Sequence, residues 1–521
     1  MPAYRRQEAI ADVKEEVAEK ILESLREDSA TGPDLLPTRI LKRCAKCLAK
    51  PLCKLARRIL AEGRWPEIWT MHWIVPLHKR NTVYAAKNYR GVHSTPQLSK
   101  AMERLLRSLF MPYLLRNNVF GPSQFAYTPE RGARDVLANM LLTWLMALAK
   151  GRKIAIYCSD VAGAFDRVSL DRLVKKLKAK KIHEKVIDVL ASWLRKRTAK
   201  VVVGGAESET FDLQNMVFQG TVLGPPLWNV FFEDAREAIH DSLFEESVYA
   251  DDLNAYRIFG AGTQNTKILE ALTLCQEELH QWGTANQVEF EAGKESMHII
   301  STTEGYGNNF KMLGVEFDMG LTMRDAVDEL VTEASWKLKM LIKTKRFYTD
   351  SDLVMLYKAH LLSFLEYRTP AIYHATRDNL MRVDRIQSKF LGDAGVDERE
   401  ALKYFNLAPL QTRRDMAMLG LLHRTVIGKG APHFRQHFKL QPGRKVLDPR
   451  LEIKSPLVIR SALGLPAVYN MLSDRCREAK NVKELQTRSQ TLVKDRMEGG
   501  APDWKDTFSP RLSLKTHPLM R

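Results

Sequence analysis

Cysteine is scarce in this 521-residue chain: only Cys44, Cys47, Cys53, Cys158, Cys275 and Cys476. Six thiols spread over that length exclude a disulfide scaffold and fit a reducing compartment. Cys44 and Cys47 have the spacing of half a zinc site, but no second ligand pair matches it. They and Cys53 read as helix residues. Long apolar runs are also missing. The most apolar stretch, Val136 to Ala149, is too short to cross a bilayer and carries Asn139 and Thr143. It reads as a buried helix. Met1 to Lys20 is charged throughout, which excludes a secretory signal. Neither an internal repeat nor a long Gly/Ser linker is present. A soluble, intracellular protein with no membrane partner is expected.

Acidic residues fall short of basic ones: 62 Asp and Glu face 80 Lys and Arg, a net charge of +18. With 45% hydrophobic and 27% charged residues the chain is not disordered. The charge points to a polyanionic partner, nucleic acid before membrane. Residues 31–120 hold seventeen Lys and Arg against four Asp and Glu. A surplus that concentrated has the form of a phosphate-backbone footprint.

At roughly 150 residues per domain, three or four domains or subdomains are expected. Residues 7–26 carry a helical stripe of Ile10, Val13, Val17, Ile21 and Leu25, broken at residues 31–34. A basic helical region follows over residues 35–60, and residues 73–77 are β-prone. Residues 121–132 read as a loop opening a helix at 133–149. Residues 153–159 read as a buried strand ending at Asp160. Helix is expected over 169–197, 222–240 and 265–286. Residues 201–203 read as a strand entering a turn, 247–256 as strand, tight turn, strand, and 296–301 and 310–317 as further strands. Residues 332–427 are helical with basic faces, and periodicity weakens after Gln441.

The sharpest local feature is Tyr249-Ala250-Asp251-Asp252. Adjacent carboxylates between apolar strand residues repel, and cations must neutralise them. A hairpin tip presenting both suits Mg²⁺, which takes hard oxygen ligands; alone, the motif reads equally as a solvated turn. Asp160, at the end of a separate strand, could join Asp251 in holding two ions for in-line phosphoryl transfer, or could cap a helix.

Taken in order, the motifs resemble those of a reverse transcriptase from a non-LTR (LINE-type) retrotransposon. The first motif is Asp160 through Phe165-Asp166, and the second is Phe218-Gln219-Gly220-Thr221-Val222-Leu223-Gly224-Pro225. Tyr249 to Asp252 forms the metal-binding hairpin. Phe290 to Lys294 and Met312-Leu313-Gly314-Val315 follow. Upstream lie Pro76 to Lys79, Asn88 to Gly91 and Gln124-Phe125-Ala126-Tyr127. The departures are Met216 and Phe218 where the family has Gly and Pro, Ala126-Tyr127 in place of Gly-Phe, and Glu291-Ala292-Gly293 before Lys294 in place of the usual Asn-Pro. None removes a metal ligand; they bear on pocket shape and speed.

The resemblance implies an α+β, right-hand polymerase. Its palm would hold an antiparallel sheet of split β-α-β type, with fingers and a helical thumb. Boundaries follow: an N-terminal helix at 1–30, fingers at 31–150, palm at 151–320, thumb at 321–440 and a tail of unclear role at 441–521. It implies RNA-directed DNA synthesis on an RNA template from a DNA or RNA primer and dNTPs. Two Mg²⁺ ions, for which Mn²⁺ substitutes, would sit on Asp160, Asp251 and Asp252. Phe165 would exclude a 2′-hydroxyl, or is simply a core residue; as a gate it argues against an RNA-dependent RNA polymerase. Lys79 and Arg90 would contact the triphosphate, or are basic surface. Gln219 and Gly220 would shape the nucleotide pocket. Lys294 would be a general acid or a solvated lysine. Leu313 and Gly314 would hold the primer or form a plain hairpin turn. No endonuclease-sized segment precedes the polymerase motifs and no zinc knuckle follows, so a piece or a truncated copy of a mobile-element protein is expected. Action in the nucleus is the family's expectation. The alternative is an inert RNA-binding remnant.

Overall fold

The computed structural model describes residues 13–79 and 81–520. Residues 7–12 of the first expected helix, Ile10 among them, lie outside the described residues; helix is present over Glu15–Glu23. Among the described residues the first eleven strands, in chain order, are β1 Met71–His78, β2 Tyr89–Ser94, β3 Lys153–Asp160, β4 Arg197–Val203, β5 Ala206–Glu207, β6 Phe211–Leu213, β7 Glu245–Tyr249, β8 Asp252–Phe259, β9 Ser296–Ile300, β10 Phe310–Met312 and β11 Val315–Phe317. The chain divides into two compact units. One comprises Met1–Tyr127, Ser159–Leu253 and Cys275–Glu295; the other comprises Thr128–Cys158, Asn254–Leu274 and Ser296–Arg521. Two of the crossings between them fall inside β3 and β8.

In the first unit a sheet runs β2–β1–β4–β5, with β6 also beside β4. β1 is antiparallel to β2, Leu77 opposite Arg90, and parallel to β4, Met71 opposite Thr198. The basic helix Ala45–Glu62 buries Leu52, Cys53, Ala56, Ile59 and Leu60 and turns its cations outward. It ends at Gly63, whose φ of 68° is the left-handed cap that glycine adopts without strain. The long helix Gln97–Arg116 is buried on most sides. Its exposed stripe is Arg104, Ser108, Pro112 and Arg116, spaced four apart.

The helix expected over 169–197 is broken. Leu170–Ala179 ends before Lys181, whose φ is 59°, and a second helix spans Glu184–Leu194. His183 caps the second by accepting from the Lys185 amide at 3.1 Å. Arg197 already belongs to β4. The helix expected over 222–240 is likewise two, Gly224–Phe232 and Ala235–Asp241.

In the second unit β3 pairs antiparallel with β9, Ile156 opposite His298. Ile154, Ala155, Ile156 and Tyr157 are all fully buried, which is why the strand reads as a continuous apolar run rather than an alternation. Helix Ala133–Ala149 buries nearly every side. Helix Arg324–Lys343 packs on Arg377–Ala394, and Leu410–Val426 packs on Leu465–Met471 and Val482–Glu498. The segment after Gln441 is therefore folded: Tyr469 is fully buried and its hydroxyl lies 2.8 Å from His423 Nδ1. All six cysteines are free; Cys44 and Cys47 are exposed on the first-unit surface. No helix among the described residues is long and apolar enough to cross a membrane.

Candidate active site

Three carboxylates meet in the first unit because two strand ends bring them there. Asp160 is the last residue of β3, and Asp251 and Asp252 are the turn and first residue of the β7–β8 hairpin. Ser159 Oγ donates to the Leu253 carbonyl at 3.3 Å and ties the two strand ends together. Burial pushes the Asp251 carboxyl up; its own amide opposes this and the Asp160 charge adds to it. Burial, then Asp251, then Asp160 push Asp252 up to about 6. All three are half-buried. The repulsion expected from the sequence is thus present in the fold.

The opposing cation is Lys294. Residues 289–294 lie along the start of the Asp160 loop: the Ala162 amide donates to the Glu289 carbonyl and the Glu291 amide to the Asp160 carbonyl, both at 2.9 Å. This places Lys294 Nζ 2.5 Å from Asp160 Oδ2 and 2.5 Å from Glu291 Oε2. Burial lowers the Lys294 pKa, but hydrogen bonds to Asp160 and Glu291 outweigh it, so the ammonium is held above its ordinary value.

Phe165 follows Asp160 on a short turn, 7% exposed, and stacks on Trp228 with centroids 5.8 Å apart. Arg90 sits exposed on β2, and its charge acts on Asp251. Burial pushes the Asp166 carboxyl up, partly opposed by the charge of Lys79, which is exposed just past β1. The Gln219 carbonyl accepts from the His93 amide at 2.8 Å, and Gly220 lies exposed beside it. Leu313 and Gly314 belong to the second unit, where they form the β10–β11 turn with φ of 50° and 74°. A left-handed leucine is strained; the Tyr367 hydroxyl donates to its carbonyl at 2.8 Å and holds it.

The comparisons with known proteins bear on the same stretch. Residues 77–317 match the family model described as reverse transcriptase (RNA-dependent DNA polymerase). Residues 77–317 form a reverse transcriptase domain. The RNA-directed DNA polymerases from mobile element jockey of Drosophila funebris and Drosophila melanogaster are each 25% identical, over 72% of this chain and 43% of their own length. The probable RNA-directed DNA polymerase from transposon BS of Drosophila melanogaster is 28% identical over 46% of this chain and 27% of its own. The chain spans less than half the length of these relatives. Among solved structures, apo telomerase from Candida tropicalis, truncated from its C-terminal domain, matches with a TM-score of 0.36 and 14% identity over 53% of this chain and 59% of that one. The homology is to the RNA-directed DNA polymerases of these mobile elements.

Reverse transcriptase domains use divalent metal ions. Among the described residues no three acidic, imidazole or thiol side chains converge closely enough to hold an ion as they stand. The chemistry of the donor set nevertheless fits one. All three are hard carboxylate donors, they repel one another, and Lys294 bonds only to Asp160 among them.

Two residues that brace this carboxylate site carried no role in the sequence reading. Ala250, between β7 and Asp251, has a left-handed φ of 62°. Gln124 clamps it: Oε1 accepts from the Ala250 amide at 3.0 Å and Nε2 donates to its carbonyl at 3.3 Å. Trp228 Nε1 donates to the same carbonyl at 3.0 Å. Three bonds on one strained residue fix how the carboxylates are presented. Gln124 stood in a motif that resembled the family, which was the available signal. Trp228 had none.

Proposed function

We propose that this chain is an RNA-directed DNA polymerase of a non-LTR retrotransposon, copying an RNA template from a DNA or RNA primer with dNTPs. The observation that carries the reading is the placement of Asp160 at the end of β3 and of Asp251 and Asp252 at the β7–β8 hairpin, within electrostatic reach of one another, with burial and mutual repulsion raising the two hairpin carboxyls. Residues 31–150, 151–320 and 321–440 take the fingers, palm and thumb roles.

Asp160, Asp251 and Asp252 would hold two Mg²⁺ ions, Mn²⁺ substituting. Bound there, such ions lower the pKa of the primer 3′-hydroxyl and offset charge on the leaving pyrophosphate. The 3′-oxygen bonds to the α-phosphorus, the bond from that phosphorus to the β-phosphate oxygen breaks, and pyrophosphate departs. Lys79 and Arg90 bind the triphosphate, where cations meet developing charge. Lys294, held protonated by Asp160 and Glu291, carries a proton available to the leaving group. Phe165, backed by Trp228, closes the space beneath the sugar 2′ position. Leu313 and Gly314 hold the primer strand.

The test is primer extension on an RNA template with Mg²⁺ and deoxynucleotides, against Asp251→Ala and Phe165→Val. Extension by the parent and by Phe165→Val, but not by Asp251→Ala, is expected. Phe165→Val should gain ribonucleotide incorporation by on the order of tenfold or more. Equal extension by parent and Asp251→Ala contradicts the site. No extension by either, with RNA binding retained, contradicts the activity.

A further inference from the structure

Beneath the Gln219–Gly220 turn lies a buried polar cluster that the chemistry above does not use. Arg197, 1% exposed, opens β4. Its Nη1 donates to the Trp69 carbonyl at 2.6 Å and to His72 Nε2 at 3.0 Å. His72 Nδ1 lies 3.0 Å from His93 Nδ1. A guanidinium only donates, so His72 Nε2 accepts, which leaves the His72 proton on Nδ1 to be given to His93 Nδ1. One arginine therefore fixes the tautomers of two neutral imidazoles. Burial first, then Arg197, keeps both neutral: His72 lies well below its ordinary value and His93 at about 4.

The cluster grips the loop at several points. The Phe218 ring is caged by His72, His93 and Trp193, with centroids 4.7, 5.4 and 5.3 Å away, and the Arg197 guanidinium lies 5.6 Å from it. The His93 amide holds the Gln219 carbonyl. Glu103, fully buried, accepts through Oε2 from the Val222 amide at 2.8 Å and the Leu223 amide at 3.2 Å. The Val217 amide donates to the Phe165 carbonyl at 2.8 Å, so the loop is also tied to the turn that carries Phe165. Gly220 has a φ of 96°, and a Cβ there would fall 2.8 Å from the His93 carbonyl oxygen.

We propose that Glu103, Arg197, His72 and His93 are positioning residues: a buried cradle that holds the Phe218–Leu223 loop in the shape that accepts the incoming deoxynucleotide. Phe218 replaces the proline expected there, and the cage around its ring supplies by packing and hydrogen bonds the rigidity that a proline ring supplies covalently. The proposal rests on the reading of Gln219 and Gly220 as part of the nucleotide pocket.

Glu103→Leu removes the acceptor for both amides, while Glu103→Gln keeps an acceptor oxygen. Amide hydrogen exchange over residues 218–224 and steady-state extension on an RNA template separate the outcomes. In Glu103→Leu, exchange of the Val222 and Leu223 amides and the dNTP KM are each expected to rise about tenfold, with primer–template affinity within about twofold of the parent. Glu103→Gln should restore most of both. Parental exchange and KM in Glu103→Leu would overturn the cradle, as would a loss shared equally by kcat, template affinity and exchange throughout β1, β2 and β4. If Glu103→Leu fails to fold, Gly220→Ala drives a Cβ onto the His93 carbonyl oxygen and strains the same loop, so exchange over residues 218–224 and the dNTP KM should both rise; unchanged exchange and KM overturn the proposal. A parent that extends no primer defeats the polymerase reading, and the exchange data still decide the cradle.

Discussion

The first unit holds two clusters of buried charge built on opposite principles. At the carboxylate end, Asp160, Asp251 and Asp252 share one sign, and Lys294 is bonded to only one of them. In the cradle, Arg197 lies among neutral imidazoles and carbonyl oxygens with the carboxylate of Glu103 acting on it. Burial separates them only by degree, Glu103 fully buried and the three aspartates half-buried, and does not say which cluster needs a cation. The sign pattern does. An alternating cluster is finished electrostatically and serves as scaffold, whereas a like-charged one is finished only when a cation arrives.

The largest effect should come from the unfinished cluster. Asp251→Ala should lower primer extension by on the order of 10³-fold or more while leaving the unfolding midpoint at or above that of the parent, because a repelling charge has gone. Kinetics and urea denaturation on the same preparation check both halves. A midpoint well below the parent would dissolve the contrast. The finished cluster should behave in reverse. Arg197→Met leaves Glu103, His72 and the Trp69 carbonyl without their donor or counter-charge, and should cost about 3 kcal/mol by urea denaturation.

A pH series sharpens the comparison further. His93 titrates near 4 in the fold against an ordinary 6.5, so between those values the unfolded chain binds more protons. Its contribution is present above pH 6.5 and is lost as pH falls towards 4. Asp252 titrates near 6 against an ordinary 3.8, so there the folded chain binds more protons. Its contribution is present below pH 3.8 and is lost as pH rises through 6. In metal-free buffer, His93→Asn should flatten the acid loss of stability and Asp252→Asn should steepen it. Matching slopes would contradict the two-cluster picture. The smallest effect belongs to the second unit. Tyr367→Phe removes one neutral hydrogen bond from the strained Leu313 and should cost about 1 kcal/mol by thermal unfolding.

The carboxylates were legible from the chain because adjacent aspartates on an apolar hairpin and a third at a strand end are chemically conspicuous. β3, helix 133–149 and helix 265–286 were legible because their apolar runs and stripes fit one period each. The break at Lys181 was not, since left-handed backbone at a non-glycine residue leaves no composition mark, and neither was the one at Glu233 and Asp234, which keep right-handed dihedrals. The cradle was invisible for a different reason. Glu103, Arg197, His72 and His93 lie far apart in sequence, and a buried histidine or glutamate looks like a surface one until the fold puts it inside. Phe218 carried a hint, as a departure from the expected proline whose compensation lay in residues not yet connected to it.

The most direct measurement is a Mg²⁺ titration of thermal stability, parent against Asp251→Asn and Asp252→Asn, without nucleic acid or nucleotide. The expected result is a saturable rise in the parent's unfolding temperature that both variants lose, matched by onset of primer extension over the same concentrations. An equal rise in parent and variants would place the ion elsewhere and contradict the assignment of the like-charged cluster as the polymerase centre.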